Sequence, residues 1–177
     1  DRVAIMMPNL LQYVIAMYAC LRAGYIVVNI NPLYTSREVN GTLRDSEAKA
    51  IIIIENFAKT LQNALPGTKC EHIITTAVGD LFPFFKRTLV NFVVRKVKKM
   101  VPEYSLPNAV GFNEALEIGR RHGFTAHEIH NTDIAFLQYT GGTTGVSKGV
   151  ILTHRNLLAN LQQVGYWLAS ACKEGEE

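Results

Sequence analysis

Apolar residues along the first eighty positions fall into short, almost unbroken runs separated by longer stretches in which they recur at helical spacing. Residues 3–6, 25–30, 49–54 and 72–76 read as strands. Between them, residues 10–22 place Leu11, Val14, Ile15, Tyr18 and Leu21 at helical spacing, with Gly24 as the stop. Residues 36–46 carry Glu38 early and Arg44 late, the order that the helix dipole favours. Residues 57–65 form a third helix ended by Pro66-Gly67. Strands without a polar face, alternating with helices, predict an α/β fold: a mostly parallel sheet with crossover helices. Such sheets bind ligands outside the carboxyl ends of their strands, so part of any site is expected there.

The pattern changes at residue 81. Residues 81–102 contain Lys86, Arg87, Arg95, Lys96, Lys98 and Lys99 and no acidic residue. As a helix, this stretch gathers Phe85, Leu89, Phe92, Val93, Val97 and Met100 on one side and Arg87, Asn91, Arg95, Lys98 and Lys99 on the other. Two readings stay open. One is an ordinary peripheral helix packed by its apolar face, and the other is a basic amphipathic helix in peripheral contact with a membrane. Nucleic acid is not expected as a partner, because no binding motif or interleaved aromatic pattern accompanies the charge. Residues 102–132 are a polar connector with one helix near 112–121. His122, His127 and His130 lie there without a recognised ligand spacing, so no metal site is assigned.

The chemistry concentrates in Tyr139-Thr140-Gly141-Gly142-Thr143-Thr144-Gly145-Val146-Ser147-Lys148-Gly149, between apolar runs at 134–137 and 150–152 that read as strands. Glycines let a ligand approach main-chain N–H groups, and the threonine hydroxyls and Lys148 ammonium add donors, a combination suited to phosphate oxygens. It is not the P-loop formula, which follows its lysine with Ser or Thr and a helix. Thr153 is placed to cap a helix over 154–169 with Leu157, Leu161, Val164 and Leu168 on one face. His154 starts that helix and has two readings: a place near the ligand pocket, since its helix follows the loop so closely, and the more common role of a capping or packing residue, with no catalytic role assigned. No nucleophile–base arrangement and no carboxylate pair is evident, so no catalytic residue is assigned.

The loop resembles the signature phosphate loop of the adenylate-forming enzymes, the superfamily of acyl-CoA synthetases, luciferases and peptide-synthetase adenylation domains. Their usual form is Tyr-Thr-Ser-Gly-Thr-Thr-Gly-x-Pro-Lys-Gly-Val; this chain has Gly141 for the Ser and Ser147 for the Pro. Met7-Pro8-Asn9, Ala23-Gly24, Asn31-Pro32-Leu33-Tyr34, Asp45-Ser46-Glu47-Ala48-Lys49 and Leu152-Thr153-His154-Arg155-Asn156 are similar to bacterial long-chain fatty-acid–CoA ligases. The resemblance implies part of the N-terminal AMP-binding domain, divided as residues 1–80 (sheet unit), 81–132 (basic segment and connector) and 133–177 (phosphate-loop hairpin and helix). It implies that Thr140, Gly141, Gly142, Thr143, Thr144, Gly145 and Lys148 bind the nucleotide phosphates. It further implies a full-length enzyme that uses ATP and Mg2+ to convert a fatty acid to an acyl-adenylate and then to a thioester with CoA. The segments that bind adenine, ribose, metal and CoA in this family would lie beyond Glu177, and the fragment alone is expected to be inactive. Two alternatives stand beside this: a ligase for a short-chain, medium-chain, aryl or amino-acid carboxylate, and a noncatalytic membrane-associated binding module.

Composition adds bounds. With 177 residues, 48% hydrophobic and 19% charged, the chain has the material for a sizeable core. A net charge of +3 does not by itself argue for nucleic acid. Three widely spaced cysteines fit free thiols in a reducing compartment, so the expected location is cytoplasmic; the membrane reading of residues 81–102, where it holds, adds peripheral contact on the inner face of the cell membrane. The opening at Asp1 directly into an apolar strand suggests a piece of a longer protein.

Overall fold

Strand Arg2–Met6 (β1) lies at the centre of a seven-stranded sheet in a computed structural model that describes residues 1–140 and 147–169. Ile26–Asn29 (β2) and Ala50–Ile54 (β3) flank it, both parallel. His72–Thr76 (β4) and Ala109–Gly111 (β5) extend the sheet beyond β3, again parallel. Ile134–Thr140 (β6) adds in parallel to β2, and Lys148–Thr153 (β7) closes that edge antiparallel to β6. The predicted parallel α/β sheet is the observed one. β5 is the strand that the apolar pattern did not announce.

Helices cover both faces of the sheet. Leu11–Arg22 (α1), Phe112–His122 (α5) and His154–Ala169 (α6) follow β1, β5 and β7. Their Ala16, Cys20, Phe112 and Leu157 pack with Val3, Ile5, Val27, Ile52, Ala135 and Phe136 on one face of the sheet. Ser36–Ser46 (α2) and Ala58–Ala64 (α3) cover the other face, where Val39, Leu43, Leu61 and Ala64 meet Ala4, Met6, Val28, Ile51 and Ile53. A strand such as β3 therefore has a layer above and below it. That explains Ile51-Ile52-Ile53-Ile54, all buried: each fully buried isoleucine contributes about 2 kcal/mol, and neither face has room for a polar side chain.

Local signals set the helix ends. Thr35 and Glu38 form a capping box at the start of α2: the Glu38 N–H donates to Thr35 Oγ1 at 3.4 Å, and the Thr35 N–H donates to Glu38 Oε2 at 2.8 Å. Hydrogen bonds from Thr35 hold the Glu38 carboxyl below the usual carboxylate range. Gly24, after α1, takes φ +73°, where a Cβ is strained, and so lets the chain turn into β2.

The basic segment forms helix Phe84–Phe92 (α4), which runs on into a π-helical turn, Val93–Val97. The predicted division into two faces is present only in part, since Lys98 and Lys99 are exposed beside the apolar residues, and the packing is inverted relative to an ordinary peripheral helix. Asn91 is buried and Arg95 reaches inward to Glu55, while Phe85, Leu89, Phe92, Val97 and Met100 are exposed. The reason is polar. Asn91 Oδ1 accepts from the Gly79 N–H at 2.8 Å and its Nδ2 donates to Asp80 Oδ1 at 3.1 Å, so the helix docks through hydrogen bonds to the turn after β4.

Candidate functional site

β6 and β7 present the phosphate-loop sequence as a hairpin, with its stem inside the sheet. Tyr139 pairs with Gly149 and Thr140 with Lys148, the last register pair before the loop. Directly opposed residues of an antiparallel pair project to the same face, so Thr140 and Lys148, both exposed, stand side by side at the loop's mouth. Ser147 Oγ donates to the Thr140 carbonyl at 2.8 Å and ties the two ends of the loop together. Gly141, Gly142, Thr143, Thr144 and Gly145 lie outside the described residues. The structure thus brings together Thr140 and Lys148 of the predicted set.

What holds this mouth is Tyr139, whose side chain points to the opposite face. Its hydroxyl donates to Asp45 Oδ2 near the end of α2, and its ring covers Gly149. A Cβ on Gly149 would come within 3.1 Å of the ring, so the glycine is what allows the tyrosine to lie there. Burial, and then the bond to the Asp45 carboxylate, raise the Tyr139 phenol well above its ordinary pKa. It therefore acts as a neutral donor at any working pH.

On the face that Thr140 shares, a chain of polar side chains runs along the carboxyl ends of the central strands. Tyr13 of α1 donates to Asn29 Oδ1 at 3.1 Å, and Asn29 Nδ2 donates to Gln138 Oε1 at 3.0 Å. They line a polar cavity of about 430 Å3 with Asn9, Asn31 and Tyr34. β1 is followed by a helix on one face and β2 by a helix on the other, so the cavity opens where neighbouring crossovers part, the usual place for a ligand on such a sheet. Sequence reasoning pointed to this edge but not to these residues. A signal was present, because Asn29 and Gln138 interrupt otherwise apolar strands.

Of the two readings of His154, the place near the loop is the one that the structure does not give. β7 runs antiparallel to β6, with Thr153 opposite Ile134, so the chain travels the length of the strand away from the loop before α6 begins. At about 3.3 Å per residue this carries His154 roughly 20 Å from the loop's mouth. There it borders an apolar cavity of about 390 Å3 between α1 and α6, with Met17, Leu21, Phe136, Leu157 and Leu161. The cap of α6 is as expected: Thr153 Oγ1 accepts from the Asn156 N–H at 3.3 Å, and Asn156 Oδ1 accepts from the Thr153 N–H at 2.9 Å. Among the described residues no three His, Cys, Asp or Glu side chains converge to hold a metal ion; the His130 imidazole lies 3.9 Å from the Glu128 carboxylate.

A family model for AMP-binding enzymes matches residues 1–175. The chain belongs to the AMP-binding enzyme family. Within that family it is 54% identical, over its whole length, to the long-chain-fatty-acid–CoA ligase of Escherichia coli O157:H7, and spans 32% of that protein. The fold is shared with a crystal structure of an anthranilate CoA ligase in complex with anthranoyl-AMP: TM-score 0.68 at 22% identity, covering 92% of this chain and 26% of that one. A long-chain-fatty-acid–CoA ligase from Archaeoglobus fulgidus aligns with TM-score 0.63 at 28% identity, covering 93% of this chain and 27% of that one. The chain therefore spans about a third or less of the length of these relatives.

Proposed function

We propose that the protein of which this chain is a part is a long-chain-fatty-acid–CoA ligase. The observation that carries the reading is the 54% identity to such a ligase over all 177 residues, phosphate-loop hairpin included. In the proposed reaction, a carboxylate oxygen of the fatty acid attacks the α-phosphorus of ATP and pyrophosphate leaves. The thiol sulfur of CoA then attacks the acyl-adenylate carbonyl, AMP departs, and the thiol proton passes to solvent or a base. Charge builds on the departing pyrophosphate, and donors already fixed in place stabilise it without reorganising. Lys148 and Thr140 supply such donors from the hairpin mouth, with Gly141, Gly142, Thr143, Thr144 and Gly145 assigned from their sequence to complete the cradle. Bound with ATP, Mg2+ would neutralise phosphate charge; no residue of this chain is assigned to it. The proposed location is the cytoplasm, with peripheral contact on the inner face of the membrane.

A second reading, a ligase for a different carboxylate, is favoured by the fold shared with an anthranilate ligase, since a phosphate cradle does not touch the acid being activated. Acyl-CoA formation by the full-length protein over palmitate, octanoate, acetate, anthranilate and an amino acid separates the two. The proposal expects highest kcat/KM on palmitate. Highest kcat/KM on an aryl or amino acid would transfer the assignment to the second reading, and no product from any acid would leave a noncatalytic module. The 177-residue fragment itself is expected to make no acyl-CoA.

A further inference from the structure

Asn91 and Arg95 lock the α4 segment to the protein. Arg95 Nε donates to Glu55 Oε1 at 2.9 Å and its Nη2 to Oε2 at 2.6 Å, and the Glu55 side chain is only 4% exposed. Asn91 is held by Gly79 and Asp80, and a Cβ on Gly79 would lie 2.7 Å from Asn91 Oδ1, so a glycine is required for this close approach. After the π-helical turn, Lys99 takes φ +51° and Asn56 Nδ2 donates to the Met100 carbonyl at 3.2 Å. These contacts fix the helix with Phe84, Phe85, Leu89, Phe92, Val97 and Met100 outward, each more than half exposed. Exposed large apolar side chains gathered on one segment in this way mark an interaction surface.

Charge distinguishes what covers it. α1 and α6 also expose apolar side chains, among them Leu11, Val14 and Tyr18, and Leu158, Leu161 and Val164. α1 carries Arg22 as its only Asp, Glu, Lys or Arg, and α6 carries only Arg155. Such uncharged faces suit further polypeptide, because the buried centre of a protein interface is depleted of charge. The α4 face is different: exposed Lys86, Lys96, Lys98 and Lys99 accompany the apolar patch, and no acidic residue occurs from 81 to 102. An apolar face with long basic side chains beside it matches the interface of an anionic bilayer, where the rings enter the acyl boundary and the ammonium groups stay at the phosphates. Among the described residues no helix is long and apolar enough to cross a membrane.

We propose that the outward face of α4 and its π-helical turn is a docking surface for anionic lipid bilayers: Phe85, Leu89 and Phe92 insert, and Lys86, Lys96, Lys98 and Lys99 bind headgroup phosphates. Arg95 is not a lipid contact but the clamp that sets the helix's orientation. The surface lies between β4 and β5, at the sheet edge opposite the β6–β7 hairpin. Docking and phosphate binding are therefore separable.

The test uses the full-length protein with vesicles of phosphatidylcholine alone or with about 30% phosphatidylglycerol, the anionic component to which near-surface lysines are drawn. Reversing Lys86, Lys96, Lys98 and Lys99 to Glu should lower cosedimentation with the anionic vesicles by about tenfold or more, and salt at about 0.5 M should bring wild type toward the variant. Phe85→Ser with Leu89→Ser should weaken binding to both vesicle types. Ligase activity on octanoate, a soluble acid, should be unchanged in both variants, which reports the fold and the reaction separately from docking. An environment-sensitive fluorophore attached through Phe85→Cys should shift to the blue on anionic vesicles. Wild-type affinity in the charge variant would overturn the proposal. So would a fluorophore at this position that neither attaches readily nor responds to vesicles because other polypeptide covers the face.

Discussion

The phenolic hydroxyl of Tyr139 donates to the Asp45 carboxylate across 94 residues of sequence, tying the last turn of α2 to the end of the strand that leads into the phosphate loop. The link positions Thr140 and Lys148 through the backbone, because Tyr139 is paired with Gly149 and the next pair is Thr140 with Lys148. Tyr139→Phe in the full-length protein keeps the ring over Gly149 and removes only the donor. A net hydrogen bond of about 1 kcal/mol corresponds to roughly a fivefold change in an equilibrium. KM for ATP should rise by about that factor, with KM for the fatty acid unchanged. An unaltered KM for ATP would show that the loop's mouth is held without this bond.

The Arg95–Glu55 pair is a second tie with a consequence. Glu55 is buried, so Arg95→Ala leaves a carboxylate without its partner, at a cost of about 2 to 3 kcal/mol. The urea midpoint of the transition that unfolds this domain in the full-length protein should fall accordingly. Glu55→Met combined with Arg95→Met should recover much of the loss, because the buried charge is then gone. A single variant as stable as wild type would mean that water reaches Glu55 freely.

Cys20 and Cys70 give a pH dependence. Burial pushes both thiols up from about 9 to about 11, with the Glu71 charge adding to the effect at Cys70. A raised pKa means that the folded state retains the proton more tightly than the unfolded state. The associated stability is complete below about pH 9 and is lost as pH rises through about 11. At about pH 8, where an ordinary thiol is partly ionised, alkylation by iodoacetamide, resolved by mass spectrometry, should be much slower at Cys20 and Cys70 in the native protein than after denaturation. Equal rates would contradict the burial.

Where one physical signal dominates, the sequence is legible to the residue. The helix at 36–46 and the strand at 72–76 are found where the pattern puts them, because a capping box starts the first and a β-branched run makes the second. The phosphate-loop hairpin is legible for a similar reason: its glycines and threonines interrupt two apolar runs. Other features depend on tertiary direction, which periodicity does not encode. β5 is three residues long, too short to show alternation. A hairpin carries β7 back along β6, so the helix that follows it begins at the far end of the strand and His154 ends far from the loop. The inward polar side of α4 depends on Glu55, Gly79 and Asp80, residues from other elements that supply its partners. Tyr13, Asn29 and Gln138 come together only when α1 is laid across the sheet.

The central claim is that this domain helps an AMP-binding enzyme adenylate a fatty acid, with Lys148 at the phosphates. The most direct measurement is fatty-acid-dependent exchange of labelled pyrophosphate into ATP by the full-length protein, without CoA, for wild type, Lys148→Ala and Thr144→Ala. Palmitate should elicit exchange in wild type. Removal of either donor should slow it by roughly a hundredfold, the effect of about 3 kcal/mol of lost transition-state stabilisation, with circular dichroism unchanged. Exchange in the folded variants at the wild-type rate, at both limiting and saturating ATP, or no palmitate-dependent exchange in wild type, would contradict the account.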